Sequence, residues 1–210
     1  QNGESIELLT DQKLFTGGRA NDINNKRQIV GKVRNTTTEH FFIYDLASGS
    51  METPSTFYKN AKSNATAIND DGIVVGEAEY EITTSKERRV HGFVYDSVSN
   101  VFNDVNELVE CNSIYDIIQI LDVNNNNQIA ATALKTVEKR DALGQVILDT
   151  DGNPETEQVT VALRLDPVPG GEIEECNDED DAKYKRKGFS NGLLFTLFAT
   201  SLVAIRRRFI

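Results

Sequence analysis

Ala67-Ile68-Asn69-Asp70-Asp71-Gly72-Ile73-Val74-Val75-Gly76 decides the fold, because its frame occurs three times in the 210-residue chain. The frame is Ile-Asn, a short polar turn, then Val-Gly. It reads Asp22-Ile23-Asn24 to Val30-Gly31 in the first copy and, weakened, Asp122-Val123-Asn124 to Ala130-Ala131 in the third. Asn24 and Gly31, Asn69 and Gly76, and Asn124 and Ala131 share one seven-residue spacing. One supersecondary unit has been used repeatedly.

A second set of matches sets the phase. His40-Phe41-Phe42-Ile43-Tyr44-Asp45 aligns with His91-Gly92-Phe93-Val94-Tyr95-Asp96 and, more distantly, with Val161-Ala162-Leu163-Arg164-Leu165-Asp166. Short runs rich in β-branched and aromatic residues, bounded by turn residues, are strands. Each unit therefore reads as four short antiparallel strands, and in the first unit the last of them is expected near Met51 to Phe57. The turns after Asn24, Asn69 and Asn124 read as hairpins, with Gly72 and Asn127 suited to positive φ at the fourth position. Arg27 holds that position in the first copy, where it either strains the turn or marks another turn type. Gly31 and Gly76 sit inside strands, which points to a bulge or a close backbone neighbour.

Units of about 45 residues with four antiparallel strands have the size of β-propeller blades. The expected fold is thus mainly β, tandem four-stranded repeats forming an incomplete propeller or fragment, plus one C-terminal transmembrane helix. The expected divisions are 1–19 (end of a preceding repeat), 20–64, 65–112 and 113–171 (three repeats), 172–187 (charged linker) and 188–208 (membrane or sorting helix). The link from the Gly position to the His position lengthens from 9 to 15 to 30 residues, and the last contains a polar insert, 138–158. A solvated hairpin extension is expected there, and the decaying third copy reads as a terminal capping unit.

Charge excludes one class of partner. The net charge is -11, and seven acidic residues in 172–181 are balanced by seven basic residues in 183–208, so the body carries the whole excess. Such a body repels nucleic acid. No nucleophile, cofactor loop or metal cluster stands out, so no catalytic, cofactor-binding or metal-binding residue is assigned. His40 and His91 share a repeat position that Val161 fills in the third unit, which favours a packing or hydrogen-bonding role. An EF-hand register starting at Asp149 places Asp151 and Asn153 correctly but puts Pro154 where Gly is needed and Thr160 where Glu belongs. Cys111 and Cys176 can form one disulfide if the body is exported; free thiols are the alternative.

Phe189 to Ile205 is a charge-free run of 17 residues, followed by Arg206-Arg207-Arg208 and preceded by Lys187. As a helix it would be about 26 Å long, enough for a bilayer core of about 30 Å with the flanking cations snorkelling. The expectation is a membrane segment with the acidic body outside and the arginines in the cytoplasm.

The chain resembles the HAF-repeat (His-Ala-Phe) extracellular proteins of Gram-negative bacteria. The resemblance rests on Ala67 to Gly72 with Val75-Gly76, on His40-Phe41-Phe42 and His91-Gly92-Phe93, and on Asn103-Asp104-Val105-Asn106-Glu107-Leu108. Phe41 and Gly92 replace the central Ala. It is closest to an uncharacterised branch with a C-terminal anchor, and the tail is similar to tripartite sorting signals in which glycines precede an apolar helix and an Arg cluster. Here Gly170-Gly171 lie well upstream of the run and Gly188 abuts it. The resemblance brings no catalytic residues.

The expected role is a non-enzymatic cell-envelope protein, structural or binding, with the membrane and a surface protein or glycan as partners. Its expected place is the inner membrane with the body in the periplasm, or the cell surface after tail processing. The alternatives are the scaffold part of a larger secreted enzyme, for example a glycan-active one, and a calcium-stabilised adhesive module using the insert.

Overall fold

The computed structural model describes residues 15–82, 87–111 and 113–168. They form eleven strands in three antiparallel sheets. The first sheet contains β1 (Gly17–Ile23), β2 (Gln28–Arg34), β3 (Glu39–Asp45) and β4 (Ser50–Glu52). The second contains β5 (Ser63–Ile68), β6 (Ile73–Ile82), β7 (Glu87–Asp96) and β8 (Val101–Asp104). The third contains β9 (Tyr115–Val123), β10 (Ile129–Glu138) and β11 (Thr156–Leu165). Strands follow chain order within every sheet.

Two expectations need correction. Among the described residues the third sheet has three strands, not four, because nothing in them follows β11 as β4 follows β3. The last strand of the first unit is Ser50–Glu52 rather than Met51 to Phe57, since Thr53 and Pro54 turn the chain away and Pro offers no ladder N–H. Among the described residues the three sheets form no closed propeller. The expected membrane helix, its flanking Lys187, Arg206, Arg207 and Arg208, and Cys176 lie outside the described residues. Among the described residues no helix is long and apolar enough to cross a membrane.

Register shows why the repeat has its spacing. Gly31 pairs with Phe42, Gly76 with Phe93 and Ala131 with Leu163; two residues on, Val33 pairs with His40, Ala78 with His91 and Ala133 with Val161. Each first strand carries a bulge at an equivalent place, skipping Asn21, Thr66 and Leu121. The bulge swings the backbone over the Gly position. A Cβ at Gly31 would land on Arg19 O, and one at Gly76 on Asn64 O. In the third sheet a second irregularity follows between Thr132 and Ala133, and there the position holds an Ala.

The sheets pack in series. β5 lies against β1, β2 and β3, and β9 lies against β5, β6 and β7. Burial on both faces makes the second sheet apolar without alternation. Val74, Ala78, Phe93 and Tyr95 point into an aromatic core shared with Val30, Phe41 and Ala65. Ile73, Val75 and Val94 point into an aliphatic core shared with Ile117, Ile120 and Ile129. The two interfaces solve the same packing problem with sizes reversed. Phe41 is opposed by the small Ser63 and Ala65, its N–H bonding to Ser63 Oγ at 3.0 Å. At the equivalent place Gly92 is opposed by Ile120 and Ile117, and a Cβ there would come within 2.9 Å of Ile120 Cγ1. The substitutions of Phe and Gly for the expected Ala are therefore complementary to the strand each one faces.

The hairpin turns are all of one kind. In each, the Asn accepts at its carbonyl from the residue three ahead and at Oδ1 from the N–H four ahead: Arg27 and Gln28, Gly72 and Ile73, Asn127 and Gln128. The fourth position has φ of 67° at Arg27, 83° at Gly72 and 59° at Asn127. Arg27 thus keeps the same turn in a left-handed conformation that costs a non-Gly residue about 1 kcal/mol. The insert repeats this turn twice, at Asp141 with Gly144 and at Asp149 with Gly152, on a short ribbon continued from β10 and β11. The expected hairpin extension is what the insert forms.

The repeat uses Asn and the insert uses Asp for a reason that lies between the sheets. Asn24 Nδ2 donates to Asn69 O at 3.0 Å, and Asn69 Nδ2 donates to Asn124 O at 3.1 Å and to Asn127 Oδ1 at 2.7 Å. The side chain must accept within its own turn and donate to the next one, which an amide can do and a carboxylate cannot. The insert turns only accept. A parallel row runs through the bulges: Asn21 Nδ2 donates to Ala65 O at 2.7 Å, and Thr66 Oγ1 to Ile120 O at 2.7 Å. Leu121, at the third bulge, has no donor and is half exposed, so this row ends there.

Asp70 fastens the turn tips. Its carboxylate accepts from Asn25 N at 2.8 Å, Asn25 Nδ2 at 2.8 Å and Asn125 Nδ2 at 2.9 Å. The Asn25 side-chain bond, then its backbone N–H, hold this carboxyl below the ordinary carboxylate range. A lowered folded value means that the contribution is complete above the ordinary unfolded value and is lost as pH falls through the folded one. Thermal melts from pH 7 to pH 2 should show the Asp70→Asn variant less stable at neutrality, with the gap to wild type closing in acid. A constant gap would mean that the carboxylate charge is not what joins the tips.

Candidate functional site

The bonds around His91 arise from the junction of the second and third sheets. β7 carries His91 into the interface, β8 ends at Asp104, and Asp104 then caps a 3-10 turn over Val105–Glu107. His91 Nδ1 lies 2.7 Å from Asp104 Oδ2, with both side chains buried. Asp104 Oδ1 accepts from Asn106 N at 2.9 Å and from Asn106 Nδ2 at 3.1 Å. Asn106 in turn holds β9, accepting from Ile117 N at 2.7 Å and donating to Ile117 O at 3.1 Å. The imidazole is stacked on Tyr80, with ring centroids 4.3 Å apart and planes 5° from parallel. Its far nitrogen, Nε2, is 3.8 Å from Asp116 Oδ1.

Nε2 faces a cavity of about 350 Å³ between the two sheets, walled also by Glu110, Cys111, Tyr115 and Gln158. The volume falls in the range of small-molecule sites. Asp104 fixes which imidazole nitrogen carries its proton and leaves Nε2 for the cavity. Nucleophilic chemistry is poorly supported by the neighbours. Ser113 Oγ is taken by the Tyr115 backbone, and Cys111 is disulfide-bonded. Among the described residues no group of three or more His, Cys, Asp or Glu is arranged to hold a metal ion.

The two histidines of the shared repeat position separate in space. His40 borders a different cleft, with Thr53, Tyr58 and Asn60. The difference follows from register. Asp104 pairs with Phe93, whereas β4 ends at Glu52, opposite Ile43 and one residue short of Phe42, the equivalent of Phe93. The next residue, Thr53, borders the His40 cleft and carries no carboxylate.

Of the other residues expected to matter, Asn24, Asn69 and Asn124 come together in the ladder, while Gly31 and Gly76 lie beneath the bulges. Cys111 is on the cavity wall. At Asp149, Oδ1 serves its own turn, accepting from Asp151 N and Asn153 N, both at 2.9 Å. Sequence reasoning missed Asp104, Asp116 and Tyr80 as neighbours of His91. The string Asn103 to Leu108 was visible as a marker of the third repeat; its capping Asp was the available signal.

Serial antiparallel sheets locked by side-chain ladders define a β-repeat protein, with a polar cavity open to solvent between its second and third units. The chain belongs to the family described as "Protein of unknown function (DUF3466)", whose model matches residues 2–208. No curated protein matches the chain. No solved structure matches it either.

Proposed function

We propose that this chain is a non-enzymatic module of the cell envelope, a blade-like β-repeat body that recognises a ligand in the cavity between its second and third sheets. The apolar run of residues 189–205 anchors it in the membrane, the acidic body lies on the outer side, and Cys111 pairs with Cys176. The observation that carries this reading is the disulfide at Cys111, set in the wall of the cavity. Disulfides persist in oxidising compartments, so the site faces the outside of the cell. A buried His91–Asp104 pair beside which no nucleophile is oriented among the described residues suits recognition better than turnover.

Cell fractionation of the chain, exported in a bacterial host, tests the placement. The intact chain should sediment with membranes, and a variant lacking residues 188–210 should be released as soluble protein. Under denaturing conditions without reductant, neither cysteine of the intact chain should be alkylated. Recovery of the intact chain in the soluble fraction would remove the anchor, and a reactive thiol would remove the disulfide argument for location.

A further inference from the structure

We propose that the cavity between the second and third sheets takes an organic cation, a primary ammonium or a guanidinium, held between His91 Nε2 and the Asp116 carboxylate. The inference rests on the recognition role just proposed. It starts from two acceptors. Asp104 Oδ1 accepts two N–H groups from Asn106, and its Oδ2 lies 2.7 Å from His91 Nδ1. In the tautomer that donates from Nδ1 to Asp104, Nε2 offers a lone pair to the cavity. The ring is only 7 % exposed, and what it exposes lines the cavity.

The group opposite Nε2 is another acceptor, Asp116 Oδ1, 3.8 Å away. That separation is too long for a hydrogen bond. A single nitrogen bearing two or three N–H bonds can donate to both, whereas a ligand hydroxyl has one proton and satisfies only one of them. The wall supports the same charge. Among the described residues it contains Asp104, Glu107, Glu110 and Asp116 and neither Lys nor Arg. Tyr80 gives one ring face to His91, and Tyr115 has Lys135 Nζ 5.7 Å from its ring centre, so the charge of the wall is set by its carboxylates. The four carboxylates disfavour anionic ligands, and among the described residues no group of three or more His, Cys, Asp or Glu is arranged to hold a metal ion.

Nuclear magnetic resonance of the whole 15N-labelled chain provides the test, because its two histidines lie in separate clefts and His40 serves as an internal control. Titration with 1,5-diaminopentane should shift His91 Nε2 saturably and leave His40 unmoved. Asp116→Asn should weaken the affinity about tenfold or more, as expected for loss of a charged hydrogen-bond partner. Glu110→Gln, at the exposed rim, should weaken it by less, and Asp149→Asn, on the distant insert, not at all. Equal weakening by all three would mean general attraction to an acidic chain and would overturn the proposal. A parallel titration with N-acetylglucosamine separates the two readings. A saturable His91 shift with the sugar alone overturns the cation and keeps the cavity as a binding site; no shift with either overturns both.

Discussion

Asn69→Asp should destabilise the fold by about 3 kcal/mol or more, although the substitution exchanges only an NH2 for an oxygen. Asn69 is 3 % exposed. Its Oδ1 accepts from Asp71 N and Ile73 N, both at 3.0 Å, and a carboxylate would keep those bonds. The turn itself should therefore survive. What fails is the link to the third sheet, because the lost Nδ2 donates to Asn124 O and Asn127 Oδ1. A carboxylate oxygen would face two acceptors in a buried place and would bring an uncompensated charge. Asn124→Asp is the matched control: its Nδ2 donates to Gln128 Oε1 at an exposed position, and the cost should stay below about 1 kcal/mol. Urea denaturation of both variants checks the contrast. Equal midpoints would show that the ladder contributes nothing beyond its turns.

Gly76→Ala should cost about 3 kcal/mol or more, as overpacking against backbone does when no rotamer can relieve it. The added methyl would overlap Asn64 O and approach Ala65 Cα and Phe93 Cε1, each within 2.9 Å. The first two are main-chain atoms of the bulged strand, which is held in place by the Thr66 bond to the third sheet. Accommodation would have to undo the bulge and shift the register. Gly17→Ala, where nothing lies within 4 Å of the new Cβ, should leave stability unchanged within about 0.5 kcal/mol. Calorimetric melting of the two variants decides the matter. A Gly76→Ala protein that melts like wild type would mean that the bulge is free to move.

The repeat was legible because its causes are local. Asn at a turn start, a left-handed fourth residue and Gly as the fourth residue of the returning strand are requirements of one hairpin, so they recur at constant spacing wherever that hairpin recurs. The long insert was legible for the same reason, since Asp149 to Gly152 carries its own turn signal. The weaker points were those that depend on what comes after a strand. Thr53 and Pro54 cut the fourth strand of the first unit short, and in the third unit the alignment of Val161 to Asp166 with the earlier copies did not foretell that the described residues hold no strand after β11.

The candidate site was much less visible. His91 was noticed only as a repeat residue, and its equivalence with His40 and Val161 argued for a structural role. The feature that sets it apart, the carboxylate of Asp104, depends on the β7–β8 register and becomes chemically meaningful only when β9 delivers Asp116 from a separate hairpin. No spacing rule connects these residues, because they belong to different sheets.

By itself, then, the eight-residue frame from Asn69 to Gly76 and its two companions determined three β-hairpins and the phase of the strands that follow. Each of those is a short-range matter of φ, ψ and hydrogen bonds within one unit. Tertiary structure decided why the turn residue is Asn and not Asp, why Phe41 faces small residues where Gly92 faces large ones, and where a cavity opens beside His91. Each of these depends on what the next sheet presents across the interface, and a donor, a volume or a carboxylate supplied by another unit leaves no periodic trace in the chain.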